Sequence, residues 1–316
     1  MKILITGGTG LIGRALCRPL LDAGHQLTVL SRKPGSVKRK CGDAVEAISS
    51  LSQWDDKRVF DAVINLAGEP IVDARWTESC KKKLWDSRVT LTEELVKRIR
   101  LATRKPAVLL SGSAIGYYGD RGDEILDESS DASNDFAAEL CQAWEAAAQE
   151  ASGLGVRVCL LRTGLVLSAQ GGVLGRMLLP FKLGLGARLG DGTQWMSWIH
   201  LDDYVAIVIG LLANAEIDGP VNMTAPEPVT NGNFTSTLAR ALHRPAVFGA
   251  PRCVLKFILG ERADMLLGGQ RVLPAKILAH GFRFAFPDIA RALQAELASN
   301  RSEEHTSELQ SPDHLV

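Results

Sequence analysis

A chain of 316 residues, 46% hydrophobic and 23% charged, carries enough apolar material for one large or two closely joined domains of ordinary globular type. Its 36 Lys and Arg balance its 36 Asp and Glu, so no net field draws nucleic acid or an anionic membrane. No apolar run reaches membrane-span length, and because a strand is expected at once no signal peptide is expected. The cysteines (Cys17, Cys41, Cys80, Cys141, Cys159, Cys253) lack C-x-x-C spacing, which excludes a disulfide framework or metal site and points to reduced thiols in the cytoplasm.

Ile3 to Ile5 reads as a buried parallel strand that breaks into a glycine turn, with an amphipathic helix starting near Leu11. A helix N-terminus offers unpaired N–H groups and about half a positive charge, which suits a pyrophosphate. Gly7 permits the tight turn, Gly10 lets backbone approach the phosphates and Gly13 lets helix pack on strand. Gly7, Thr9, Gly10, Leu11, Ile12 and Gly13 are therefore expected to hold a dinucleotide. Pro19 should kink or shorten the helix, and Gly24 suits its C-terminal cap.

Gln26 to Leu30 is the second strand, and residues at its end lie beside the adenosine ribose. An acid there accepts from a free 2′-hydroxyl, whereas a base meets a 2′-phosphate. The chain offers Ser31, Arg32 and Lys33 and no acid, which favours NADP(H), with Arg32 the phosphate contact; a solvated basic turn is the plain alternative.

Asp61 to Gly68 gives a strand ending in Asn65, Leu66, Ala67 and Gly68, small enough for a nucleotide to lie against it. A long helix is expected over about Thr77 to Arg100. It carries Arg88, a cofactor-binding candidate that either orients a substrate carboxylate or phosphate or makes an exposed ion pair. Pro106 to Ser111 is the next strand, running into the hydroxyl-rich Ser111 to Asp120. A helix over roughly Phe136 to Ala151 and a strand over Val156 to Leu161 complete an alternation that argues for a doubly wound parallel sheet. From Gly164 the texture turns glycine- and tryptophan-rich, as for loops and short helices over a pocket. His200 to Asp203 leads into an apolar helix to about Ala213, and Gly219 to Thr224 is a short strand. Residues 301–316 fit no pattern and read as a non-native tail.

Taken together, Thr6 to Gly13, Asn65 to Gly68, Ser113 with Tyr118-Gly119, and His200 to Asp203 resemble an extended short-chain dehydrogenase/reductase. Arg75-Trp76, Ser111 to Gly119, Trp144-Glu145, Leu161 to Gly164, Gly192 to His200 and Gly268 to Pro274 are similar to its atypical epimerase-family group, often labelled cell-division-inhibitor (SulA)-like. The resemblance covers about Met1 to Leu297. It implies an α/β fold: a Rossmann-type doubly wound parallel sheet with a smaller C-terminal substrate-side domain. The expected division gives residues 1–165 to the NADP(H)-binding domain, with 199–224 returning to it, and 166–198 and 225–300 to the substrate side.

The same resemblance exposes a departure. Such enzymes carry Tyr-x-x-x-Lys on the helix after the serine strand, and those places fall near Ala137 and Cys141. Ser113 and Tyr117 are the remaining catalytic candidates, with Tyr118 in a structural role. Cys141 reads as a buried inert thiol, and His200 and Asp202 as a turn and helix cap. Two readings follow: an NADP(H)-dependent oxidoreductase or epimerase on a small polar or sugar-like substrate, or a catalytically silent NADP(H)-binding sensor. Neither needs a metal, nucleic acid or membrane, and either is compatible with a monomer or homodimer.

Overall fold

Short runs of Ile, Val and Leu, too brief for helices, build the central sheet. The computed structural model describes residues 1–55, 58–71 and 75–309, with side chains for all of these except 259 and 300–309. In chain order come β1 (Lys2–Thr6), α1 (Leu11–Asp22), β2 (Gln26–Leu30), α2 (Val37–Cys41), β3 (Glu46–Ile48) and β4 (Ala62–Asn65). Next are α3 (Glu78–Trp85), α4 (Leu91–Leu101), β5 (Val108–Ala114), β6 (Ile125–Leu126), α5 (Phe136–Gln149) and β7 (Arg157–Thr163). After β8 (Leu165–Ser168), α6 (Gly172–Lys182), β9 (Ala187–Leu189), β10 (Trp195–Met196) and β11 (Trp198–His200), the chain forms α7 (Leu201–Ala213) and β12 (Gly219–Met223). The last part holds β13 (Val229–Thr230), α8 (Asn231–Ala241), β14 (Phe248–Ala250), α9 (Arg252–Leu259), α10 (Arg262–Leu267), β15 (Arg271–Val272), α11 (Ala275–Ala279) and α12 (Ile289–Leu309).

The large sheet has seven strands in the order β12-β7-β5-β4-β1-β2-β3, and every pairing in it is parallel. This is a Rossmann-type doubly wound α/β fold with a smaller C-terminal part beside it. Alternate strand residues point to opposite faces. Ile3, Ile5, Ile64 and Leu110 enter one core with Leu16 and Leu20 of α1 and Val208 of α7. Leu4, Val63 and Leu109 enter the other with Leu95 and Ile99 of α4 and Ala148 of α5. A third core joins Leu174, Leu178 and Phe181 of α6 to Trp198, Phe234 of α8 and Leu293 of α12. Because β1 runs on to β2 and β3 on one side while β4 lies on its other side, the strand order reverses at β1, and a crevice opens at the carboxyl ends there.

Four elements differ from the sequence reading. The helix expected over Thr77 to Arg100 is divided: a π-helical turn, Asp86–Thr90, lies between α3 and α4 and carries Arg88. Such turns insert an extra residue and re-aim a side chain. Helix α1 continues past Pro19 to Asp22, since the ring costs only one donor near the end. It closes with Gly24 at positive φ, Gly24 N–H on Leu21 O and His25 N–H on Leu20 O. The glycine-rich segment after Gly164 holds α6, of 11 residues, because Leu174, Leu178 and Phe181 give it an apolar stripe. Finally, α12 extends through Leu309, so part of the supposed tail is helical, while residues 310–316 lie outside the described residues.

Candidate functional site

The glycine turn sits between β1 and α1, with Gly7 at φ +69°. A Cβ on Gly7 would stand 2.5 Å from Leu66 O, and one on Gly13 would stand 2.5 Å from both Gly7 O and Gly8 Cα. Both glycines are thus forced by packing. Gly8, which the sequence reading passed over, is closed in by Val29 at 2.8 Å. Gly10 is different: it is exposed, and its Cβ would meet only Gly7 O at 3.2 Å. It caps α1 without any side-chain hydrogen bond, so the helix N-terminus faces the crevice bare. Thr9, Leu11 and Ile12 are partly exposed around it. Beneath the turn, the Cys17 and Cys41 thiols donate to Gly13 O and Gly8 O.

Across the crevice, Ala67 N–H donates to Thr6 Oγ1 (3.1 Å), and Thr6 Oγ1 donates to Asn65 Oδ1 (2.6 Å). This fixes Leu66, Ala67 and Gly68 against the carboxyl end of β1. Arg88 is half-buried under them. A Cβ on Gly68 would meet the guanidinium at 3.0 Å, so the glycine is needed for that close approach. Arg88 Nη2 donates to Glu69 O at 2.8 Å and Nη1 to Leu84 O at 3.4 Å. Burial holds its pKa below the ordinary guanidinium value. It is no exposed ion pair. Arg32 is exposed and pairs with Glu69, which comes from the loop after β4. Ser31 Oγ accepts from Lys33 N–H at 3.1 Å and shapes the turn after β2.

Ser113, near the carboxyl end of β5, is buried. Its Oγ donates to Glu145 Oε1 at 2.6 Å, so the hydroxyl proton is committed to a carboxylate rather than free to polarise a ligand carbonyl. Glu145, on the buried face of α5, is gripped by Arg162 of β7: Nε to Oε1 and Nη2 to Oε2, both 2.9 Å. This fork is the strong, geometrically specific form of the pair. Arg162 Nη1 also donates to Tyr118 Oη (3.0 Å), and Tyr118 Oη donates to Asn222 Oδ1 of β12 (2.7 Å). Burial pushes Tyr118 up to about 12. Tyr118 is a structural strut. The Tyr117 ring is partly exposed and lies 3.5 Å from Arg162 Cζ, with no hydrogen bond to its hydroxyl among the described residues. Sequence reasoning named Ser113 and Tyr117 but gave no role to Glu145 and Arg162. The available signals were an arginine inside the apolar strand Val158 to Thr163 and a glutamate among the alanines of α5.

The chain is similar to known proteins along most of its length. Residues 3–224 match the model of the NAD dependent epimerase/dehydratase family. The chain belongs to that family. Residues 250–296 of this family member match a domain of unknown function (DUF1731). An epimerase family protein of Mycobacterium bovis is 41% identical over 295 residues, 92% of this chain and 96% of that protein. The crystal structure of human epimerase family protein SDR39U1 with NADPH superposes with a TM-score of 0.86 at 36% identity, covering 93% of this chain and 98% of that one. A nucleoside-diphosphate sugar epimerase from Corynebacterium glutamicum gives 0.70 at 28% identity, covering 98% and 68%.

Within this epimerase family chain, the helix α5 places expected for Tyr and Lys hold Ala137 and Cys141. The Cys141 thiol is pushed up to about 12, chiefly by burial and then by Glu145, and sits beside Ser113 and the Ala114 backbone. A neutral thiol there is no substitute for an ammonium. His200 lies apart from the site: its Nδ1 caps α7 by accepting from Asp202 N–H at 3.1 Å, and its ring stacks on Phe286. Among the described residues no group of three or more His, Cys, Asp or Glu side chains is placed to hold a metal ion, and no helix is long and apolar enough to cross a membrane.

Proposed function

We propose that this chain is an NADP(H)-dependent oxidoreductase or epimerase acting on a small polar or sugar-like molecule. The hydrogen bond from Ser113 to the Arg162-held Glu145 carries the reading, because it replaces the missing Tyr-x-x-x-Lys pair with another route for a proton. The bare N-terminus of α1, open at Gly10, fits a pyrophosphate, and Gly7, Thr9, Leu11, Ile12 and Gly13 complete that cradle. Leu66, Ala67, Gly68 and the underlying Arg88 form its far wall, and Ser31 and Arg32 meet the adenosine end. The human SDR39U1 structure with NADPH supports the choice of nucleotide.

The nicotinamide, when bound, gives or takes the hydride. Ser113 Oγ, its own proton directed at Glu145, accepts the proton of a substrate hydroxyl as its proton passes to the carboxylate. In the reverse direction the same two protons return. Tyr117, with its hydroxyl unengaged among the described residues, donates to the neighbouring substrate oxygen. Glu145 and Arg162 are positioning residues for Ser113.

One observation favours a second reading, a sensor that binds NADP(H) without turnover: Cys141, a neutral thiol, occupies the place where the lysine would hold the nicotinamide ribose. NADPH consumption scanned against sugars, aldehydes and ketones decides between them. Turnover abolished by Ser113→Ala with nucleotide binding intact is the expected result; tight NADPH binding with no turnover on any substrate leaves the sensor. We also propose that the chain belongs to the cell-division-inhibitor-like group, on the motifs matched above, and works as a cytoplasmic monomer or homodimer.

A further inference from the structure

The turn after β2 contains no acid, yet the structure brings one to it. Arg32 stands two residues beyond the end of β2 and Glu69 four beyond the end of β4, and β1 lies between those strands. Two strand spacings are roughly 10 Å. The Arg32–Glu69 ion pair therefore spans the carboxyl end of β1, across the part of the crevice where the adenosine ribose of a dinucleotide runs.

Glu69 is held there by its backbone. Its N–H donates to Ser87 Oγ at 3.0 Å, and its carbonyl accepts from Arg88 Nη2 at 2.8 Å. Both partners lie on the π-helical turn, and Ser87 Oγ is itself anchored on Leu84 O at 3.1 Å. Arg32, by contrast, is 88% exposed. A glutamate anchored through its backbone and an exposed arginine thus meet at the position that would distinguish a 2′-hydroxyl from a 2′-phosphate.

We propose that Glu69 is the acid of the adenosine site and sets the limit on nucleotide selectivity. A free ribose hydroxyl donates to its carboxylate, while a 2′-phosphate must draw Arg32 away and lie beside the remaining negative charge. The crevice consequently accepts both NADPH and NADH, and Glu69 lowers the preference that Arg32 creates. This rests on the dinucleotide reading of the crevice.

The test is fluorescence titration of the full chain with NADPH and with NADH, in wild type, Glu69→Gln and Arg32→Ala. Glu69→Gln keeps both backbone bonds, and Glu69→Ala does so as a second variant. Both are expected to tighten NADPH by about three- to tenfold, with NADH unchanged or weakened. Arg32→Ala is expected to erase the preference for NADPH. Unchanged NADPH affinity in both Glu69 variants, or an equal change for both nucleotides, overturns the role of Glu69 while leaving the crevice reading intact. A wild-type chain that binds neither nucleotide overturns the crevice reading, and this proposal with it.

Discussion

The two ends of the crevice are made of different materials. At the glycine turn the groups facing the crevice are backbone amides of one continuous stretch, and Gly7, Gly8 and Gly13 are closed in by their neighbours. At Ser113 the groups that meet are side chains from four separate elements: β5, α5, β7 and the Tyr117–Tyr118 turn, with Asn222 of β12 closing the chain. The first end tolerates almost no added side chain at Gly7 and Gly13, and the second almost no change of charge. A buried arginine with a buried glutamate is stable only as a pair, since either alone leaves a desolvated charge behind.

Four measurements break or sharpen that contrast. Alkali acts on both ends together and has the largest effect. Burial pushes Cys17, under the glycine turn, and Cys141, beside Ser113, up to about 12, and Cys159 to about 11, from an unfolded value of 9.0. The unfolded chain then loses these protons first, so stability is full below pH 9 and falls as pH rises toward the folded values. A loss of about 1–2 kcal/mol per thiol by about pH 10.5 is expected in urea denaturation; a flat midpoint over that range would show the thiols to be accessible. Next, Arg162→Met strands Glu145 and should cost about 3–5 kcal/mol. The double variant Arg162→Met with Glu145→Leu should recover much of that, and no recovery would deny that the two act as a pair.

Gly13→Ala comes third. Its Cβ would meet backbone at 2.5 Å, and overpacking of this kind costs about 1–3 kcal/mol. Thermal denaturation reads it directly. Gly10→Val is the smallest in stability, about 1 kcal/mol, because its φ of −77° is ordinary and its Cβ would meet only Gly7 O at 3.2 Å, the loss being that of a good N-cap residue. It should nevertheless abolish nucleotide binding by filling the cradle. Gly10→Val that melts early, or that still binds NADPH, would undo the distinction between a glycine kept for packing and one kept for a ligand.

Much of the sheet was legible because its signals are local. Ile3 to Ile5, Ala62 to Ile64 and Val108 to Leu110 are apolar runs too short for helices, and each is followed by a small-residue turn and a helix. The π-helical turn at Arg88 was not legible: helical periodicity continues on both sides, and Arg88 meets Gly68 only through the tertiary fold. Helix α6 was hidden by its own glycines, since Gly171, Gly172 and Gly175 mask an apolar stripe that matters only once Phe234 and Leu293 stand opposite. Ser113 was visible as a hydroxyl at a strand end. What holds it was not, because Glu145 and Arg162 are 17 residues apart and meet through neighbouring elements.

The amino-acid sequence by itself determined the parallel sheet, the glycine turn and the bare helix end, because each depends on backbone conformations that nearby residues permit or forbid. It also determined what is missing, the tyrosine and lysine on α5. Tertiary structure alone decided the direction of the Ser113 proton, the burial of the Glu145–Arg162 pair and the meeting of Arg32 with Glu69. Those depend on which charges share a low-dielectric space, and that is set by how strands far apart in the chain lie side by side.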